Sequence, residues 1–287
     1  MTAATIDVVA VRVPQRSWRS EARAVRTIWW RDLIRFRNEP MSIGSWLVQP
    51  LLFLLVLGPG LQTLSARSTD GVDLPTFMFP GVICMSLLYS AMFSAASMVW
   101  DRELGFLREL LVAPVRRSSI VLGKVLGGTT IAASQGVLVL ALAGLVHVPY
   151  DPVLLLGVLG LVLLIAFTIS AFGVLVAVSI KQARTFTSVM QLFVFPMMFL
   201  SGALYPVSGL PVWLRVANRF TPLTYAVDPV RRLVLDRLDI SPAAQQTLAP
   251  GVTWWGWTVP AVAEVAIVLA LGVAMLALAI ARFSRSE

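Results

Sequence analysis

The chain has 287 residues, 57% of them hydrophobic and 13% charged, with a mean hydropathy of +0.82. A soluble domain carries about 25% charged residues, so this sequence holds more apolar surface than one globular core can bury, and lipid must be part of its solvent. The net charge of +8 sits mostly at the edges of apolar runs, a pattern of membrane topology that argues against nucleic-acid binding.

Residues 1–17 are polar to mixed. From Trp18 to Asn38 the periodicity predicts an amphipathic helix. Trp18, Ala22, Val25, Trp29, Leu33 and Phe36 form the apolar stripe, and Arg19, Arg23, Arg26, Arg31, Arg35 and Arg37 fall off it. Aromatic residues on one face and arginines on the other suit a helix lying in the membrane interface, with Trp30 beside Trp29. Pro40 should end this helix, because the residue before a proline is pushed out of the α region. Residues 1–40 thus read as a cytoplasmic tail and interfacial helix, and 41–287 as the transmembrane domain. The first apolar stretch follows about 40 basic-rich residues and is long enough to span, unlike a secretory signal.

Six apolar segments follow: Ser42–Leu61, Phe77–Trp100, Ile120–Val146, Val153–Ile180, Thr185–Tyr205 and Trp255–Ile280. Each is near or above the roughly 20 residues a helix needs to cross a bilayer. Backbone groups find no water in lipid, so the segments should be helices, giving an all-α polytopic membrane protein with six spans. Eight arginines precede the first span, the 101–119 loop carries four, and Lys181 with Arg184 and Arg282 with Arg285 follow later spans. This alternation predicts that both termini and the 101–119 and 181–184 segments face the cytoplasm. The 206–253 segment, with five arginines, falls outside because charge in long loops counts less. Its prolines, Pro206, Pro211, Pro222 and Pro229, frame two short helices, Leu210–Phe220 and Leu223–Leu235. Trp213, Tyr205 and Tyr225 suit a cap at the outer interface.

Between the second and third spans lies DRELGFLRELLVAPVRRSSIVLGKVLG, Asp101 to Gly127. Leu104, Leu107 and Leu111 repeat at helical spacing, with Arg102, Glu103, Arg108 and Glu109 mostly on the other sides. Pro114 should stop that helix, and Ser118 or Ser119 should cap the next. The segment reads either as a solvated loop or as a docking helix for another protein at the membrane surface.

Motifs of enzymatic chemistry are missing from the sequence. Gly123-Lys124 has Ser118 where a phosphate-binding loop places its first glycine. The one histidine, His147, lies near an outer membrane edge. Neither zinc-ligand spacing nor a nucleophile elbow occurs, and the lone cysteine, Cys84, can form no internal disulfide. Within the spans, Lys124 is close enough to the cytoplasmic end to snorkel. Glu264, about ten residues into the sixth span, is a candidate for the substrate pathway or for a helix contact. Gln49-Pro50, Gln135, Gln191 and Pro196 interrupt the spans. Gly123, Gly127, Gly128, Ala132, Ala133 and Gly136 favour close helix packing in the third.

Over nearly its whole length the chain resembles the membrane subunit of bacterial ABC transporters of the ABC-2 class, and within it the daunorubicin-resistance type of export permease. The residues carrying the resemblance are Asp101-Arg102-Glu103, Gly105-Phe106-Leu107-Arg108-Glu109-Leu110-Leu111-Val112-Ala113-Pro114 and Ile120 to Gly128. To these are added Leu210-Pro211, Trp213-Leu214, Pro222-Leu223-Thr224-Tyr225-Ala226 and Arg231. Pro229 departs from the pattern. The resemblance implies a permease without its own nucleotide site, paired with a second copy or a similar permease. A separate P-loop ATPase, holding ATP and Mg, would dock on each, and the helix at 102–113, ended by Pro114, would transmit its motion to the spans. It further implies export of an amphiphile such as a drug, lipid or glycolipid through a bacterial inner membrane, with the 206–253 segment as outer gate. An ion-coupled secondary transporter is the rival reading; it requires internal repeats and midplane carboxylates, of which only Glu264 is present.

Overall fold

A computed structural model describes residues 18–65, 73–106, 115–205, 211–238, 245, 248–254 and 257–286. Its helices are α1 (Trp18–Arg37), α2 (Pro40–Leu52), α3 (Gly58–Ser65), α4 (Leu74–Glu103), α5 (Arg117–Leu140), α6 (Pro152–Ser179), α7 (Ala183–Leu200), α8 (Val212–Phe220), α9 (Pro222–Leu235) and α10 (Ala261–Ser286). The only sheet among the described residues is a two-stranded hairpin, β1 (Thr253–Trp254) with β2 (Trp257–Thr258). Five helices, α4, α5, α6, α7 and α10, are long and apolar enough to cross a membrane. At 1.5 Å per residue, the 28 residues of α6 reach beyond the roughly 30 Å hydrocarbon core.

The first apolar segment, which Gln49-Pro50 interrupt in the sequence, is not one continuous α-helix. It runs as α2, a π-helical turn at Phe53–Leu57, and α3. Pro50 lies inside α2 and has no N–H for the carbonyl four residues back. That carbonyl belongs to Trp46, and the side-chain amide of Gln135 on α5 donates to it at 3.1 Å. A neighbouring helix therefore replaces the bond that the proline removes, as lipid-buried backbone requires. Gly58 then closes the π turn by donating to the Phe53 carbonyl.

Two other span boundaries shift. The third expected span ends as an α-helix at Leu140, and Ala143–Val146 form a 3-10 turn that His147 closes with φ 58. The sixth begins at Ala261, because Thr253 and Trp254 pair with Thr258 and Trp257 and Val259 donates to the Val252 carbonyl. Glu264 consequently sits in the first turn of α10, not ten residues into the span. Both short helices of the 206–253 segment form, and α9 continues through Pro229.

The centre of the bundle is α4, α5 and α6, with α10 along α6 and α7 against α4. Most of α4 and α5 is buried, whereas α7 and α10 are largely exposed and apolar. The small residues of α5 serve close packing as expected. A Cβ on Gly136 would lie 2.8 Å from Val162 and 2.9 Å from Leu87, and one on Gly123 2.8 Å from Ile28. Gly123 and Gly127, four apart, thus form a flat strip on which α1 lies directly.

Candidate coupling site

The segment singled out in the sequence is entered from α4. That helix ends at Glu103, and Gly105, at φ 83, takes the left-handed position just past the helix end. Arg102 and Glu103 therefore belong to the last turn of a span rather than to a separate docking helix, and Leu104 and Gly105 form the turn. Leu104 and Phe106 are exposed. Leu107, Arg108, Glu109, Leu110, Leu111 and Pro114 lie outside the described residues.

What the structure adds is how both flanks of this segment are held. Arg102 donates to the Ile180 carbonyl at 2.7 Å and the Ala177 carbonyl at 3.4 Å. These carbonyls are at the end of α6, where helix acceptors lack intrahelical partners and the dipole favours a cation. Glu103 accepts the N–H of Ala183, the first residue of α7, at 2.8 Å. One end of α4 thus fixes the turn between α6 and α7. On the other flank, no serine caps α5. Arg116 occupies the cap position, and Glu21 of α1 accepts the Arg116 N–H at 3.0 Å and the Ser119 hydroxyl at 2.6 Å. Arg117 donates to the Ser284 carbonyl at 2.8 Å, near the end of α10.

Behind this surface, α1 is clamped by charge. Its buried residues are Ile28 and Asp32, so the inward face is rotated about one residue from the predicted stripe. Trp18, Trp30, Arg23 and Arg26 are exposed, and Trp29 donates to the Thr130 hydroxyl at 3.0 Å. Lys124 does not snorkel. It is 3% exposed, and Nζ lies 2.8 Å from Asp101, 3.1 Å from Asp32 and 3.0 Å from the Ser97 hydroxyl. Three partners match the three ammonium donors. Arg31 reaches Asp101 at 2.5 Å, and Arg35 lies 3.8 Å from Asp101 and over the Trp100 ring. The apolar stripe gave no warning of this cluster. A signal does exist in the spacing: Ile28 and Asp32 are four apart, as are Gly123 and Gly127.

At the opposite end, α8 and α9 close over the end of α7. Asn218 donates to the Leu200 carbonyl at 2.5 Å, and Arg231 to the Gly202 carbonyl at 2.7 Å and the Ala203 carbonyl at 3.3 Å. The guanidinium of Arg231 also lies 4.3 Å from the centre of the Phe77 ring. Burial lowers its pKa to about 10, which leaves it charged at neutral pH. Glu264 is fully buried beside Arg232, which also pairs with Asp228 at 2.6 Å. Of the expected gate residues, Pro211 precedes α8, Trp213 is exposed, and Pro222 opens α9. Tyr225 is buried, donating to the Arg219 carbonyl at 2.8 Å and accepting from Trp254 at 2.9 Å. Pro206 lies outside the described residues.

Comparison with known proteins places this architecture. A putative transport permease of Cyanophora paradoxa, ycf38, is 28% identical over 207 residues, 71% of either chain. Nodulation protein J of Rhizobium leguminosarum bv. trifolii is 29% identical over 212 residues, 72% of this chain and 80% of that protein. The inner membrane transport permease YadH of Escherichia coli is 27% identical over 212 residues, 72% of this chain and 81% of that protein. The family match covers residues 23–235, from α1 through α9, and by it the chain belongs to the ABC-2 type transporter family, as a membrane permease of an ABC transporter.

Proposed function

We propose that the chain is the export permease of an ABC transporter and works as a pair, with a second copy of itself or a similar permease. Each permease docks a separately encoded P-loop ATPase, which holds the ATP and Mg, through the segment between Leu104 and Val115. The observation that carries this reading is the anchoring of that segment's flanks on α1, on the α6–α7 turn and on α10 at once. A push delivered there reaches three elements. Both termini and this end of the bundle face the cytoplasm, following the distribution of arginines. The helical stretch from Pro40 to Ser65, bent by its π turn, serves as the first of six spans. α8 and α9 close the path toward the outside, and the cargo is an amphiphile such as a drug, lipid or glycolipid.

The ion-coupled alternative relied on a carboxylate near the midplane. Glu264 instead lies in the first turn of α10, paired with Arg232, which favours a structural role. The test is co-purification of a P-loop ATPase with the chain, repeated after joint replacement of Glu103, Arg108 and Glu109. Loss of the ATPase and of ATP-dependent export is the expected result. Unchanged association would defeat the docking assignment. Export that survives ATP depletion but stops when the proton gradient collapses would restore the ion-coupled reading.

A further inference from the structure

Arg282 and Arg285 stand three apart near the end of α10 and are exposed, so they share one side of the helix. Among the described residues neither pairs with a carboxylate. The helix end that carries them is nevertheless held in place. Phe283, between them, is fully buried, and the Ser284 carbonyl accepts from Arg117.

Beside them a groove of about 950 Å³ runs between α6, α7 and α10, walled by residues including Leu175, Val176, Val189 and Leu278, with both arginines at its end. It exists because α10 packs along α6 while α7 packs against α4, so the two outer helices leave a strip of α6 uncovered. Lys181, between α6 and α7, and Arg184, in the first turn of α7, add two more cations at this end of the bundle. Dipole stabilisation or topology alone would explain cations at a helix end, but neither calls for an apolar trough leading away from them.

We propose that this groove binds one anionic phospholipid, its acyl chain along the apolar walls and its phosphate between the guanidinium groups of Arg282 and Arg285. Planar guanidinium forks match phosphate oxygens, and basic pockets between membrane helices recognise anionic headgroups. Assignment to the cytoplasmic leaflet rests on the orientation proposed above. The site itself does not, because binding measured in detergent is independent of orientation.

The test uses the full-length chain in detergent, offered equal amounts of phosphatidylglycerol and phosphatidylcholine with identical acyl chains, with retained lipid counted by native mass spectrometry. Wild type should retain phosphatidylglycerol in preference. Arg282→Gln/Arg285→Gln should weaken its retention about thirtyfold and weaken that of phosphatidylcholine, whose phosphate is offset by the choline cation, far less. Val189→Trp keeps both arginines, fills the trough and should reduce retention of both lipids. Arg215→Gln, a charge removed from an exposed position on α8, should change nothing. The proposal is overturned if the double glutamine variant, with helicity intact, retains phosphatidylglycerol as wild type does. It is also overturned if Val189→Trp retains as much lipid as wild type, or if wild type carries no lipid and Val189→Trp turns a dimer into a monomer, which makes the groove an interface between copies.

Discussion

Lys124 on α5 and Asp101 on α4 meet at 2.8 Å, each only 3% exposed. Removing one partner of a buried pair leaves the other charged and poorly solvated, at a cost of about 3–5 kcal/mol. Lys124→Met should therefore lower the melting temperature in detergent strongly. Asp101 keeps Arg31 at 2.5 Å, but Asp32 is left with Arg31 at only 3.7 Å, so adding Asp32→Asn should recover part of the loss by removing the stranded carboxylate. A double variant as unstable as the sum of the two single changes would contradict this.

Gln135 and Pro50 should show a different coupling. Gln135→Leu leaves the Trp46 carbonyl without a donor, at a cost of about 1–3 kcal/mol. In a Pro50→Ala background the helix supplies its own N–H to that carbonyl, so the same change at Gln135 should cost much less. Thermal unfolding of the four proteins of the cycle measures the difference.

Arg102 and Glu103 are partly exposed, so their loss should cost less than about 1 kcal/mol each in stability. Their effect should appear in transport. Arg102→Ala and Glu103→Ala free the α6–α7 turn from the end of α4 and should reduce ATP-dependent export while leaving protein level and melting temperature near wild type. Glu103→Gln keeps an acceptor for the Ala183 N–H and should retain most activity.

Arg231 satisfies two carbonyls and lies over the Phe77 ring. A lysine is a single flexible point charge and cannot reproduce that planar geometry. Arg231→Lys should destabilise, and Arg231→Met should cost about 1.5–3 kcal/mol for the lost charged hydrogen bonds. The same turn explains Gly81. A Cβ there would fall 2.2 Å from the Ala203 carbonyl oxygen, a backbone atom with little room to move. Gly81→Ala should push the turn after α7 off α4, reducing melting temperature and loosening the α8–α9 cap, which limited proteolysis would detect.

Apolar run length and proline position made much of this fold legible in the sequence. They placed α1, α4, α6 and the pair α8 and α9 to within about three residues. They failed where hydropathy carries no geometric information. Hydropathy starts the last span at Trp255, yet Trp257 and Thr258 pair with Trp254 and Thr253 and the helix begins only at Ala261, which puts Glu264 in its first turn. Asp32 was assigned no role because a stripe drawn through apolar residues cannot include a carboxylate whose partner, Lys124, is 92 residues away. Leucine spacing continues past Gly105 and points to one surface helix that includes Arg102 and Glu103, whereas the backbone turns left-handed at Gly105.

The bond from Arg117 to the Ser284 carbonyl spans 167 residues of sequence. A ribosome adding about 5–20 residues per second needs on the order of ten seconds or more to make the second partner after the first. Until α10 is made, the start of α5 is held by Glu21 and, two turns on, by the pairing of Lys124 with Asp32 and Asp101, and the tie to Ser284 is the last of these to form. A chain cut short before α10 lacks that tie, and the start of α5 is then held by α1 and α4 alone.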